Sequence, residues 1–299
     1  RRHRCVLIGW RKRASRAWRL HPFGRLSGSR RPQASPPSME GGGELDRSAV
    51  VQSLQLGNPK EDVIRTLREL SYQGEDGAGQ AVFAADVAGV LAQRREPEVV
   101  VAALDALAGM GQEAAWYAEI VAPHLDSEHR AVRRAAASTL GAFAEASAPH
   151  LPRLLACIKD VAEEVRAAAI LAVAQVGPDH DGVDSQVSGL AGDPSPVVAA
   201  AACQALGLMG AKGEARADLL GEKLSDPQLR YAALTALSNF GPGAVRSHVE
   251  KLIALGLTDR DCLTRQLAAT VLGSAGEVAL ESVERLLSLL GDERPGVRC

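Results

Sequence analysis

The chain has 299 residues, a formal net charge of −2, 46% hydrophobic residues and only 3% aromatic residues. No uncharged stretch reaches the roughly 20 apolar residues that a membrane-spanning helix requires, so membrane insertion is not expected. Because few large side chains are present, the composition favours thin, closely packed layers.

Charge is unevenly distributed along the chain. Residues 1–39 contain eleven Arg and Lys and no acid, whereas residues 40–299 contain 23 basic and 36 acidic residues, a balance of −13. A folded region with this balance lacks the basic field that supplies non-specific nucleic-acid binding, so nucleic acid is not an expected partner.

The basic segment 1–39 has no sustained amphipathic period and contains helix breakers throughout, which predicts disorder. Three interpretations remain open for residues 1–38: translated upstream sequence ahead of Met39, an organelle transit peptide, or a functional basic tail. We expect a cytoplasmic protein, or an organellar one if the segment is a transit peptide.

Residues 40–93 are predicted to hold a short helix from Arg47 to Leu56 and a degenerate helical pair from Lys60 to Leu91. Residues 94–299 then repeat with a period of 33. Four columns lie at offsets 0, 4, 8 and 11, which places them on one stripe of an α-helix, here called helix A. The columns are Val99, Val132, Val165 and Val198; Ala103, Ala136, Ala169 and Ala202; Leu107, Leu140, Val173 and Leu206; and Met110, Phe143, Val176 and Met209.

A second apolar stripe indicates a second helix, B, in each repeat, and glycine and proline separate A from B. One hairpin alone cannot bury both stripes, whereas stacked hairpins can. The pattern therefore predicts an all-α solenoid, a right-handed α-α superhelix of about six full 33-residue hairpins with partial ends, the last truncated at residue 299. The B stripe begins at Val121, Leu154, Val187, Leu220, Ile253 and Leu286.

An Asp recurs between each helix B and the next helix A, at positions 160, 193, 226, 259 and 292. Such an Asp is expected to cap the following helix by accepting hydrogen bonds from its first-turn amides. The pair Val165-Arg166 follows Asp160, with the arginine six residues on, and the dipeptide Leu-Gly closes helix A. Together with the recurring Asp, these features make the unit resemble the HEAT repeats of the armadillo-type helical superfamily.

The resemblance implies an Asp–Arg ladder between stacked repeats and a protein-binding groove on the concave face lined by helix B. The ladder is expected to be incomplete, because Ser127 precedes Arg133, and because Ala199 and Ala232 follow the second and third aspartates. The implied ladder and capping residues are Asp160, Arg166, Asp193, Asp226, Asp259, Arg265, Asp292 and Arg298.

The function predicted from this resemblance is a non-catalytic scaffold or adaptor for other proteins, with no cofactor, metal or small-molecule substrate. Trp116 and Tyr117, at the start of a B helix, are the candidate partner-binding residues, because aromatic side chains dominate interface energetics. One column of helix B contains acidic, basic and uncharged residues. This favours a folded partner, or a peptide with mixed contacts, over a polyionic ligand.

An accessory enzyme is the alternative, of the phycobilin lyase-like or metal-dependent hydroxylase-like type that also uses HEAT-like repeats. The hydroxylase type holds iron through His-Glu pairs, and this chain contains no His-Glu dipeptide. Its histidines, including His150 and His248, share no repeat position and are interpreted as surface residues. The five cysteines form no CxxC pair, which predicts neither a zinc site nor a disulfide framework.

Overall fold

A computed structural model of the chain describes residues 47–72, 81–276 and 283–298. The expectations for residues 1–39 lie outside these ranges. Residues Leu45–Cys299 form one compact unit. All regular secondary structure in the described part of the unit is helical, which confirms the predicted all-α class.

The α-helices are short, and the longest span 14 residues. In chain order they are α1 (Arg47–Ser53), α2 (Lys60–Tyr72), α3 (Ala84–Gln93), α4 (Pro97–Met110), α5 (Ala118–Val121), α6 (Arg130–Ala142), α7 (Leu151–Cys157), α8 (Glu163–Val176), α9 (Val183–Leu190), α10 (Pro196–Leu208), α11 (Ala211–Glu214), α12 (Ala217–Lys223), α13 (Arg230–Leu237), α14 (Pro242–Val245), α15 (Val249–Lys251), α16 (Cys262–Ser274), α17 (Val283–Ser288) and α18 (Pro295–Arg298).

The A helices form a continuous row in which α2, α4, α6, α8, α10, α13, α16 and α18 each pack against the next. The alanine column predicted from the sequence, at positions 103, 136, 169 and 202, is fully buried, as is Leu140 in the neighbouring column. Small side chains allow the helices to approach closely. At Gly207 of α10, an added Cβ would lie 2.7 Å from the Cα of Ala236 in α13.

The B segments are less regular than the A helices. The first of them consists of a 3-10 segment at Gly111–Tyr117, the single turn α5, and another 3-10 segment at Ala122–Asp126. Pro123 lies in the second 3-10 segment, and in the following repeat Pro149 lies in the 3-10 segment Ala144–His150, which corresponds to the first one. Proline lacks the amide that a continuing α-helix needs, so the predicted B helices are split into short turns.

None of the helices within the described ranges is both long enough and apolar enough to cross a bilayer.

Candidate protein-binding surface

The loops that lead from each B segment into the next A helix carry partly buried ion pairs. Before α8, Asp160 accepts two hydrogen bonds from the guanidinium of Arg133, at 2.7 Å from Nε and 2.8 Å from Nη2. The remaining nitrogen, Nη1, donates to the carbonyl of Ser127 at 2.9 Å. Because the contact is bidentate, it fixes the orientation of one repeat on the next. We call each such Arg–Asp pair a rung.

The same arrangement recurs between later repeats. Arg166 donates to Asp193, and Arg265 donates to Asp292, each with an Nη2–Oδ1 distance of 3.0 Å and a sequence separation of 27 residues. Each of these arginines therefore pairs with the carboxylate of the following repeat, whereas the Asp six residues before it accepts a hydrogen bond from it only through its backbone carbonyl. The predicted Arg298 lies in α18, and its side chain is outside the described residues.

Two arginines complete rungs that the sequence pattern did not predict. Arg133 was expected to lack a rung because Ser127 precedes it, yet it reaches Asp160 of the next repeat. Arg230 donates to Asp259. The fifth repeat is shifted by two residues, so that Leu229 is buried while Tyr231 is 41% exposed. This shift was the feature of the sequence that could have indicated Arg230 as a rung residue.

The repeated aspartates do not cap the first helical turn as expected. Asp160 accepts a hydrogen bond from the amide of Ala162, and Asp193 accepts one from the amide of Ser195, both at 2.8 Å. Ala162 and Ser195 are themselves the N-cap residues of α8 and α10. The carboxylate therefore closes a turn just before the helix, because the same side chain also faces the arginine of the preceding repeat. The corresponding bonds run from Gln228 to Asp226, from Asp261 to Asp259 and from Arg294 to Asp292.

The rung with Arg133 keeps Asp160 ionised. The hydrogen bond from Arg133 lowers the pKa of Asp160 below its ordinary value, and the bond from the Ala162 amide adds to this, while partial burial acts in the opposite direction. The hydrogen bond to Asp160 correspondingly raises the pKa of Arg133. At neutral pH the Arg133–Asp160 rung therefore carries a full charge pair.

Among the described A helices from α4 to α18, two interfaces lack a rung. In α10, Ala199 occupies the arginine position, so this helix offers no guanidinium to Asp226. Between α4 and α6 both members are replaced, because Val100 stands at the arginine position and Ser127 at the aspartate position. A cavity of about 300 Å³ opens at this second place. It is lined by Arg94, Arg95, Pro97, Val100, Pro123, His124, Asp126, Ser127, His129 and Val132.

The candidate partner-binding residues, Trp116 and Tyr117, end the 3-10 segment directly before α5. Trp116 is 92% exposed, while Tyr117 is half-buried and packs against the hydrophobic core. Ile120, one helical turn after Trp116, is also exposed. The structure therefore separates the roles of the two neighbours, with Tyr117 anchoring the segment and Trp116 projecting into solvent.

Two histidines interpreted as surface residues are in fact buried between successive B segments. His150 lies 3.6 Å from a carboxylate oxygen of Glu119, and His248 lies 3.4 Å from one of Asp218. The His248 ring packs over Gly221, where a Cβ would come within 2.2 Å of it. The interpretation of these two histidines as surface residues was wrong, because the one-residue offset between their repeat positions conceals an equivalent contact.

The buried thiols show no feature of reactive cysteines. Burial raises the pKa of Cys203 to about 11, and burial is also the main cause of the raised pKa of Cys157. Within residues 47–72, 81–276 and 283–298, no group of three or more His, Cys, Asp or Glu side chains is placed to hold a metal ion.

Residues 84–174 match the family model of HEAT repeats. Among solved structures, the chain is similar to Kap121p bound to Pho4p, with 16% identity and a TM-score of 0.54, over 81% of this chain and 31% of Kap121p. It is also similar to an engineered protein, with 18% identity and a TM-score of 0.48, over 84% of this chain and 80% of that one. No curated protein matches the sequence significantly. At these identities the structural likeness concerns the fold alone.

Proposed function

We propose that the chain is a HEAT-repeat protein, as the family match over residues 84–174 supports, and that it is a non-catalytic scaffold that binds another protein through residues of its first B segment. The row of A helices supplies a rigid support, since its columns are buried from one repeat to the next. The B side and the connecting loops present the side chains that differ between repeats.

The observation that carries the proposal is the exposure of Trp116. Its indole is 92% exposed, and it is the single tryptophan of residues 40–299. Burying an indole in an interface removes a large apolar area from water, which is why tryptophan is enriched among residues that dominate binding energy. Ile120 extends the apolar patch, and the exposed carboxylate of Glu119 provides a polar neighbour.

The fold supports a protein ligand. Kap121p, which shares the fold over 81% of this chain, was solved bound to the protein Pho4p. The chain spans 31% of Kap121p, so the likeness supports the class of ligand and says nothing about its identity. We extend the proposal to the face formed by the B segments, which is the face that the family resemblance implies.

The test is an affinity capture from lysate of the source cells with the full chain as bait, read by mass spectrometry. We expect a partner at near-equal molar ratio, and we expect Trp116→Ala to lose it. Val161→Ala is the matched control, because Val161 is 94% exposed but lies in the loop before α8. Thermal unfolding of both variants should match that of the parent protein, since neither side chain is buried.

Two results would contradict the proposal. One is a partner that binds Trp116→Ala and Val161→Ala equally, which removes Trp116 from the contact. The other is a bait that retains a stoichiometric pigment or metal and no protein, which would favour the accessory-enzyme alternative.

A further inference from the structure

The cavity between α4 and α6 occupies the place of a missing rung. At the α6–α8 interface this place is filled by the guanidinium of Arg133 and the carboxylate of Asp160. Val100 and Ser127 are shorter than the residues they replace, so a space of about 300 Å³ is left between their two repeats. The cavity therefore lies where the α6–α8 interface holds the carboxylate of Asp160.

The walls of this cavity are basic and include a buried arginine. Arg94 is only 8% exposed, and its Nε has no hydrogen-bond partner. The rest of its guanidinium is held in place, because Nη2 donates to the carbonyl of Asn58 at 2.7 Å and Nη1 donates to Glu96 at 3.2 Å. Arg95, at the same wall, is exposed.

Two acids at the cavity are already paired, whereas Glu98 and Glu128, next to lining residues in the sequence, are exposed. Asp126, which lines it, forms an ion pair with Arg153, and Glu96 pairs with Arg94. Burial lowers the pKa of His124, and the positive charge of Arg95 lowers it further. Added positive charge is therefore disfavoured here, whereas an anion would be attracted to Arg95 and to the N-terminus of α6, which has no side-chain cap.

We propose that this cavity, lined by Arg94, Arg95, His124 and His129, binds an acidic side chain of a protein partner. The partner's carboxylate would take the position that Asp160 and Asp193 take in the complete rungs, but its positive partner would be Arg95, because Val100 stands where those rungs have an arginine. The inference rests on the proposed scaffold function for its partner, but the site itself is defined independently of Trp116.

The test is fluorescence anisotropy of a fluorescein-labelled hexaglutamate peptide titrated with the full chain, with labelled hexaglutamine as the neutral control. We expect saturable binding of hexaglutamate alone, weakened about tenfold in Arg95→Gln, since a charge-assisted contact is lost. Arg260→Gln is the matched control, because Arg260 is also exposed but lies in the loop before α16. Binding should also raise the pKa of His124, followed by its ring resonances in NMR spectra.

A second variant rebuilds the rung within the chain. Val100→Arg with Ser127→Asp places an arginine and an aspartate at the positions they hold in the next repeat. We expect the new intramolecular carboxylate to exclude the peptide, so that hexaglutamate binding is lost, while the melting temperature stays equal to or above that of the parent. Should this variant fail to fold, Arg95→Gln still tests the site.

Equal binding of hexaglutamate by the parent and by Arg95→Gln would overturn the proposal, as would unchanged binding in a folded Val100→Arg, Ser127→Asp variant. Inorganic phosphate that displaces the peptide at equal concentration would overturn the assignment to an acidic side chain. None of these results affects the capture experiment with Trp116→Ala, so failure of the cavity and failure of the scaffold proposal are distinguishable.

Discussion

The α6–α8 and α4–α6 interfaces stack in the same way but differ at their loop edge. In both, the alanine and leucine columns are fully buried. One adds the bidentate pair of Arg133 with Asp160, whereas the other has a cavity bounded by Val100 and Ser127. The apolar columns are therefore common to both interfaces, whereas the rung is an addition at the edge that one of them lacks.

The α10–α13 interface gives an intermediate case. Asp226 is retained and closes its turn through the amide of Gln228, but α10 offers Ala199 instead of an arginine. The helices there approach closely, with Gly207 against Ala236. The A helices therefore stack on one another whether the interface has a complete rung, only the aspartate of a rung, or neither residue.

The largest effect is expected where apolar stacking itself is blocked. Gly207→Val would place a side chain 2.7 Å from the Cα of Ala236, and such overpacking should cost about 3 kcal/mol of unfolding free energy. Gly273 stands at the equivalent position two repeats later, with nothing within 4 Å of an added Cβ. Gly273→Val should therefore change stability by less than about 0.5 kcal/mol. Urea unfolding compares the two, and an equal loss in both would mean that stacking does not set the register.

An intermediate effect is expected where a rung is broken. Asp160→Ala removes the turn bond and leaves Arg133 without its carboxylate, which should cost about 2 kcal/mol. Asp226→Ala removes an equivalent turn bond, but no arginine of α10 depends on it, so about 1 kcal/mol is expected. The comparison is made by urea unfolding at neutral pH. If Asp226→Ala cost as much as Asp160→Ala, the rung would add nothing to stability.

The smallest effect is expected when the pH is lowered and Asp160 becomes protonated. The folded-state pKa of Asp160 is lowered, so its contribution is fully present above the ordinary aspartate pKa and is lost as the pH falls through the folded value. The difference in melting temperature between the parent and Asp160→Asn should be constant from about pH 8 to pH 5 and should shrink towards pH 3. A difference that stays constant down to pH 3 would show that the charge of Asp160 is not what stabilises the rung.

Much of the A-helix row could be predicted, because offsets of 4, 8 and 11 place the apolar columns on one stripe of a helix that recurs every 33 residues. The columns at Val99, Ala103 and Leu107 are buried as the spacing requires. The B segments were predicted less well. Proline residues such as Pro123 and Pro149 divide them into 3-10 and α turns, although the apolar stripe continues through the breaks.

The candidate sites show the limit of the pattern more sharply. Trp116 could be singled out from the scarcity of aromatic residues, but its 92% exposure depends on how the segment before α5 turns. Arg230 escaped prediction because the fifth repeat is shifted by two residues. His150 and His248 escaped because contacts between neighbouring repeats, and not position within one repeat, bury them.

By itself the sequence determined the helical class, the repeat period and which residues form the core, because these follow from the spacing of apolar side chains along a helix. Tertiary structure decided which arginine meets which aspartate, which interface lacks a rung and where a cavity opens. Those features arise from residues about 27 positions apart that meet only after stacking, and no local periodicity specifies the distance between them.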